Sequence, residues 1–234
     1  MNEKKRVDDA SNWYLKEQLD FDRRLIGFRY KTLRPHFHGS SCLELGPAEG
    51  QMTRFLKNDF ESLTVVDGAS LLLDQIPNYP NLVKVHSLFE DFIPTAKYDT
   101  IIMEHILEHV DLPVDLMHRV RGWLAPEGKM LLGVPNANSI HRLAATKMGL
   151  LNQPCELNSR DLAQGHRRVY TWETFEKDIR LAGLEILELG GVYFKPLSNQ
   201  QIQENWTEKM IEGFYELGKD FPEHAADIFA VCQV

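Results

Sequence analysis

The 234-residue sequence holds only three cysteines, Cys42, Cys155 and Cys232, widely spaced and without a C-x-x-C pair. No disulfide framework and no thiolate metal knuckle follow from that set, which fits a reducing compartment and buried, non-catalytic thiols. No apolar run approaches the ~18 residues that a membrane span needs. The first residues, MNEKKRVDDASNWYLKE, lack the apolar centre of a secretion signal. The expectation is a soluble, cytoplasmic protein with no membrane partner. Positive charge is also short, with 26 Lys and Arg against 34 Asp and Glu and a formal net charge of -8. Phosphate neutralisation needs a basic face, so no nucleic-acid partner is expected. Repeats and low-complexity linkers are missing too. With 43% hydrophobic and 26% charged residues, the composition is that of a globular protein and excludes disordered and fibrous classes.

What is present is an alternation. A helical pattern over 11–34 carries Trp13, Leu15, Leu19, Leu25, Ile26 and Leu33 and stops at Pro35. Short apolar runs follow at 41–45, 63–66, 82–85, 98–103 and 129–134, with helical patterns at 51–58, 70–76 and 114–124 between them. Strand and helix in turn predict a parallel sheet with right-handed crossovers. The rhythm breaks after 135. Residues 136–171 are too long for a simple connection, and insertions at the strand-end face of such a sheet shape the ligand crevice. Thr171 is a good N-cap for a helix over 172–182, which Gly183 ends. A strand over 185–194, a helix-rich stretch over 199–219 and a last strand over 227–234 complete the chain.

The informative stretch is Cys42-Leu43-Glu44-Leu45-Gly46-Pro47-Ala48-Glu49-Gly50. A strand runs into Gly46, which turns without a Cβ clash, and Gly50 lets the next helix start close to a ligand. Asp67 ends the second strand at about the ~20-residue spacing from glycine turn to ribose-binding acid. The pattern is not G-x-G-x-x-G. Glu44 and Glu49 suit a cationic ligand better than a pyrophosphate, and S-adenosylmethionine carries a sulfonium and an ammonium.

The E-L-G-P-A-E-G stretch resembles the first motif of class I S-adenosylmethionine-dependent methyltransferases. Val65-Val66-Asp67 resembles their ribose-binding acid. The run Tyr98-Asp99-Thr100-Ile101-Ile102-Met103-Glu104-His105-Ile106-Leu107-Glu108-His109-Val110 resembles their fourth-strand motif, as in the ubiquinone O-methyltransferase-like, small-molecule group. Ala125-Pro126-Glu127-Gly128-Lys129 resembles the turn into strand five. The resemblance spans about residues 40–135. It implies a Rossmann-like, doubly wound α/β fold whose mostly parallel seven-stranded sheet has an antiparallel last strand, plus helical insertions. It implies S-adenosylmethionine as cofactor, S-adenosylhomocysteine as product, and Glu44, Gly46, Pro47, Gly50, Asp67, Gly68, Glu104 and His105 as cofactor-binding residues. After strand three the family often has an acid for the adenine amino group; Leu88 stands there instead. Leu88 and Phe89 are then expected beside the adenine, with Glu90 or Asp91 as a substitute acid. A single domain follows: 1–38 as an N-terminal helical lid, 39–135 as the cofactor half, 136–171 as the acceptor-side insertion and 172–234 as the closing part.

His105-Ile106-Leu107-Glu108-His109 formally matches H-x-x-E-H, a zinc-protease signature. It directly follows a predicted parallel strand, so no metal is expected. Between 139 and 171, Arg142, Lys147, Arg160, Arg167 and Arg168 outnumber Glu156 and Asp161. Arginine pairs with phosphate or carboxylate, so Arg142, Arg167, Arg168 and Asn136 are the expected acceptor-binding residues for a small anionic metabolite. That acceptor would be a sugar-nucleotide or a phosphorylated or carboxylated compound. His166, then His141, are the expected general bases for O- or N-methylation. The stretches V-P-N-A-N-S-I-H-R and G-H-R-R-V-Y-T resemble methyltransferases of polysaccharide and secondary-metabolite biosynthesis. Met148-Gly149-Leu150-Leu151 and the Trp206/Met210/Phe214 stripe read as core or lid packing, and Phe214 and Tyr215 as residues able to close over the site. Two alternatives stay open: an NAD(P)-dependent oxidoreductase or epimerase on a similar sheet, and a non-catalytic cofactor-binding module. A homodimer is compatible with all three.

Overall fold

The computed structural model describes residues 20–234. Trp13, Tyr14, Leu15 and Leu19 lie outside the described residues. Helix α1 (Asp20–Leu33) buries Phe21, Leu25 and Phe28, one face at i, i+4, i+7 spacing. Phe28 stacks on Tyr215 at 4.5 Å between ring centroids and an interplanar angle of 15°. Pro35 sits in the 3-10 turn that follows and stops the α-helix where expected.

Seven strands follow: β1 (Ser41–Leu45), β2 (Ser62–Asp67), β3 (Leu82–His86), β4 (Tyr98–Glu104), β5 (Leu124–Pro135), β6 (Glu185–Val192) and β7 (Asp227–Gln233). They form one sheet in the order β3-β2-β1-β4-β5-β7-β6. The pairs through β5 are parallel, and β7 runs antiparallel to β5 and β6. This is the expected doubly wound α/β class. Short helices α2 (Thr53–Leu56), α3 (Ser70–Leu73) and α4 (Pro113–Arg121) make the crossovers. Strand alternation sends Ile101 and Met103 into the core on one face and Ile102 into the core on the other. The connection order reverses between β1 and β4, and that switch point is where α/β sheets open a crevice.

The insertion holds α5 (Ile140–Lys147) and α6 (Ser159–Ala163). A parallel bridge between Asn136 and Tyr170 ties its two ends together. Thr171 caps α7 (Trp172–Leu181) by accepting from the Thr174 N–H, and Gly183 leaves the helix at φ +77°. Helices α8 (Asn199–Asn205) and α9 (Glu208–Asp220) lead into β7.

Four local expectations change. β5 begins at Leu124, because the A-P-E-G-K turn lies inside the strand as an irregularity, with Glu127 at φ +62° and a register shift between Tyr98 and Thr100. Cys155 is exposed, whereas Cys42 and Cys232 are buried. Met148 and Leu150 are 66% and 71% exposed, so that stretch is not core. Tyr215 is buried in the aromatic stack under α1, and Phe214 packs on Trp206 at 4.4 Å. Neither lines the cavity described next, so neither closes over it.

Candidate active site

A cavity of about 420 Å³ opens at the C-terminal ends of β1, β4 and β5. Its floor is the turn after β1. Gly46 and Gly50 have φ +67° and +81°, and Ala48 joins them at φ +47°. A Cβ on Gly46 would meet Ile106 Cδ1 at 2.1 Å and displace that side chain's end, and the left-handed backbone itself calls for glycine. Beneath the turn the Glu44 carboxylate is buried and accepts from Thr53 Oγ1 at 2.6 Å. Burial raises its pKa to about 8, the Thr53 hydroxyl opposing and Asp67 adding to the rise. Asp67 is also buried and accepts from the Ala69 N–H at 2.8 Å. Burial raises it to about 6, against the Ala69 and Ala48 backbone donors.

One wall is ionic. Glu104 ends β4 opposite Gly133 of β5. A Cβ at Gly133 would overlap Glu104 Oε1, so this glycine makes the space for the carboxylate. Glu104 Oε1 is buried with no hydrogen-bond partner. Burial raises Glu104 to about 7, although His105 and Arg29 pull it down. Arg29 of α1 donates to Asp227 of β7 at 2.7 Å. His105 lies 3.5 Å from Asp227 Oδ1 through Nε2 and 3.2 Å from Glu108 Oε1 through Nδ1. Burial and Arg29 lower the His105 pKa, but the two carboxylates prevail and lift it to about 9, so the ring is cationic at neutral pH. At Asp227 the cations Arg29 and His105 overcome burial and hold it well below the carboxylate range. Lys195, in the loop after β6, donates to Asn199 Oδ1 at 2.9 Å, and burial brings it down to about 8.

The cavity gathers Glu44, Gly46, Pro47, Glu104 and His105 with Asn136, His141, Arg142 and His166. It does not reach Gly50, Asp67, Gly68, Leu88 or Phe89. Phe89 packs behind Gly46, with its ring 3.6 Å from where a Cβ would stand. Leu88 O accepts from Asp91 and Phe92 N–H groups, and Glu90 and Asp91 are exposed.

The expected acceptor arginines need correction. Arg168 donates to the carbonyls of Leu107, Val110 and Asp111. Arg167 pairs with Asp111, and its N–H donates to Glu108 O at 2.7 Å. Neither lines the cavity, because both pin the 105–111 turn to the insertion. Arg142 does line it but is buried, donating to Pro154 O, Glu156 O and Asp161 Oδ2. Asn136 is similarly occupied, donating to Glu223 O and Ala225 O and accepting from the Asn138 N–H. Burial, Lys195 and Arg142 bring His141 down to about 3, so it is neutral and weakly basic. His166 is buried, with Nδ1 3.5 Å from Asp161 Oδ1. Arg29, Lys195 and Asp227 escaped sequence reasoning, and Asp161 entered it only as a charge. They come from separate elements, and none stands in a motif.

A family model for a methyltransferase domain matches residues 16–189. The chain belongs to the methyltransferase domain family. That membership sets aside the oxidoreductase and epimerase reading. A malonyl-[acyl-carrier protein] O-methyltransferase of Halalkalibacterium halodurans is 24% identical over 129 residues, 48% of either chain, so the match spans about half of that relative. The CcbJ methyltransferase of Streptomyces caelestis superposes with a TM-score of 0.65 at 16% identity, covering 100% of this chain and 99% of that one. The N-methyltransferase NodS of Bradyrhizobium japonicum WM9, solved with S-adenosyl-L-homocysteine, gives 0.59 at 16% identity, covering 99% and 98%. At these identities the likeness is one of fold, that of class I S-adenosylmethionine-dependent methyltransferases. Among the described residues, no helix is long and apolar enough to cross a membrane.

The donor set of this methyltransferase fits a cationic cofactor. Glu44 brings a buried carboxylate to the cavity and Glu104 one that is 12% exposed, with Oε2 3.9 Å from Arg29 and Oε1 without a hydrogen-bond partner. A buried carboxylate without a partner is costly, and a cation offsets that cost.

Proposed function

We propose that this methyltransferase transfers the methyl group of S-adenosylmethionine to an oxygen or nitrogen atom of a small anionic metabolite. The observation that carries the reading is the pair of carboxylates, Glu44 buried and Glu104 partly so, around a left-handed glycine turn at the switch point of the sheet. The cofactor, when bound, supplies an already activated methyl group on a sulfonium. Gly46 and Pro47 let it approach the backbone, Glu44, Glu104 and His105 border its amino-acid end, and Asp67 with Gly68 stands on the ribose side. Leu88 and Phe89 remain the adenine-side residues by their motif position.

Beyond this, the chain has to align an acceptor and exclude water. Helix α1 supports the assigned lid role by closing the cavity with Leu25, Ile26 and Arg29. Lys195 replaces Arg167 and Arg168 as the residue for the acceptor's negative charge, since it borders the cavity and, among the described residues, its ammonium donates to a neutral amide. An anionic oxygen needs no base. For an acceptor that carries a proton, His166 beside Asp161 is the base the geometry favours over His141.

The test is radiolabelled methyl transfer from S-adenosylmethionine to fractionated metabolites, paired with thermal stabilisation by S-adenosylhomocysteine. Transfer to an anionic fraction, with stabilisation by that product and none by NAD(P), is expected. Stabilisation without transfer to any fraction favours the non-catalytic module, and absence of both overturns the reading.

A further inference from the structure

Behind the cavity wall lies a polar cluster of which the methyl-transfer reading uses only His166. Residues 105–109 form a turn after β4 rather than a helix. The H-x-x-E-H spacing therefore does not bring its two histidines to one helix face. The tertiary structure makes a different set, in which Glu108 and His109 meet His166 from the insertion. One ligand atom from each of the three lies within 4.8 Å of the other two. The rings of His109 and His166 are 4.7 Å apart between centroids and perpendicular at 86°.

Glu108 is the second observation. It is fully buried, yet neither carboxylate oxygen accepts a hydrogen bond. His105 Nδ1 is 3.2 Å from Oε1 as an ion pair, off hydrogen-bonding alignment. The cationic His105 ring faces Oε1, whereas Oε2 has no partner, and a buried carboxylate oxygen left without one favours a bound cation. The backbone holds the cluster in place. The Arg167 N–H donates to Glu108 O at 2.7 Å, the His109 N–H to Ile106 O at 2.9 Å, and Arg168 clamps Leu107 O. Asp161 stands behind His166, as a carboxylate commonly stands behind a metal-binding histidine.

We infer that Glu108, His109 and His166 form a binding site for one divalent first-row transition-metal ion. Two imidazoles and one carboxylate suit Zn²⁺, Mn²⁺ or Co²⁺, whereas Mg²⁺ and Ca²⁺ prefer all-oxygen shells. Bonds of about 2 Å put neighbouring ligands roughly 3 to 3.5 Å apart, so the side chains close in by about an ångström on binding. His166 also lines the cavity, so the ion sits in its wall. There it would act as a Lewis acid on an acceptor oxygen and ease loss of the acceptor's proton. With the ion bound, His166 is a ligand, and the base role passes from it.

The test measures binding, separately from transfer. The full chain is stripped with chelator and dialysed against Zn²⁺, Mn²⁺ or Co²⁺, and bound metal is counted by mass spectrometry. One equivalent per chain is expected. Glu108→Gln, His109→Ala and His166→Ala should each weaken binding by about tenfold or more, the upper range for loss of supporting groups being near 100-fold. The Cys155→Ser variant should bind as the parent does. The Co²⁺ form of the unsubstituted chain gives a readout independent of folding of the variants: visible d–d bands without thiolate charge-transfer absorption. Less than a tenth of an equivalent with all three ions overturns the inference. So does equal binding by the Glu108, His109 and His166 variants, or a thiolate spectrum.

Discussion

The two sides of the cavity handle charge in opposite ways. On the cofactor side, Glu44 is buried and Glu104 partly so, and desolvation holds their pKa values at about 8 and 7. Their ionisation therefore responds to a cation placed beside them. On the insertion side, Arg142, Arg167 and Arg168 look like the complementary cations, yet they are bound to Asp161, Asp111 and backbone carbonyls. Glu44 and Glu104, acidic groups in motifs, border the cavity. The basic groups of the insertion act as staples, because the carbonyls of the irregular stretches at 107–111 and 154–156 need donors. Sequence charge counts do not separate these cases. The number of backbone acceptors left over by the local fold does.

Breaking a staple should have the largest effect. Arg142→Ala removes one member of a buried ion pair and two carbonyl bonds, so a stability loss of about 3 kcal/mol is expected in chemical denaturation. An unchanged midpoint would return Arg142 to the acceptor side.

Next comes the floor of the other region. Gly46→Val forces a β-branched residue into φ +67° and into Ile106. Loss of S-adenosylhomocysteine binding by about 100-fold, with a stability loss of roughly 2 kcal/mol, is expected from strain of that kind. Calorimetric binding with parent affinity would remove the turn from the cofactor site.

Arg168→Ala should cost about 1 to 2 kcal/mol through its lost carbonyl bonds while leaving the acceptor KM as it is. Lys195→Ala should do the reverse, raising the acceptor KM by about tenfold, near the value of one charged hydrogen bond, with little change in melting temperature. A rise in KM for Arg168→Ala and none for Lys195→Ala would invert the assignment made here.

The smallest expected effect is a pH dependence. A carboxyl raised to about 8 keeps its proton in the folded chain and loses it near 4.5 when unfolded. Its contribution is full below 4.5 and lost as pH rises through 8, the sign for any raised acid. Glu44→Gln cannot ionise, so its melting temperature should gain on the parent's between pH 5 and 8. Cofactor binding should release protons near pH 7, because a cation lowers both carboxyl pKa values; calorimetry in buffers of different ionisation heat measures this. A constant temperature gap and no proton release would mean that Glu44 stays out of the cofactor's field.

Much of the fold was legible because its signals are local. Apolar runs ending in glycine or aspartate marked β1 and β2, and Pro35 and Thr171 marked helix ends. The register irregularity at Glu127 was not legible, since only pairing with β4 reveals that the turn lies within β5. For the site, the glycine turn and Glu104 stood in motifs. Arg29, Lys195 and Asp227 did not, because each reaches the cavity from a distant element.

The amino-acid order alone determined the strand–helix alternation, the left-handed turn at Gly46 and the acidic character beside it. These follow from backbone sterics and short-range polarity, which depend on neighbours in the chain. The tertiary structure alone decided which charges face the cavity, and it replaced the H-x-x-E-H spacing with the Glu108, His109 and His166 cluster. The reason is burial: a side chain's charge and partners are set by what packs around it, and 57 positions separate His109 from the histidine it meets.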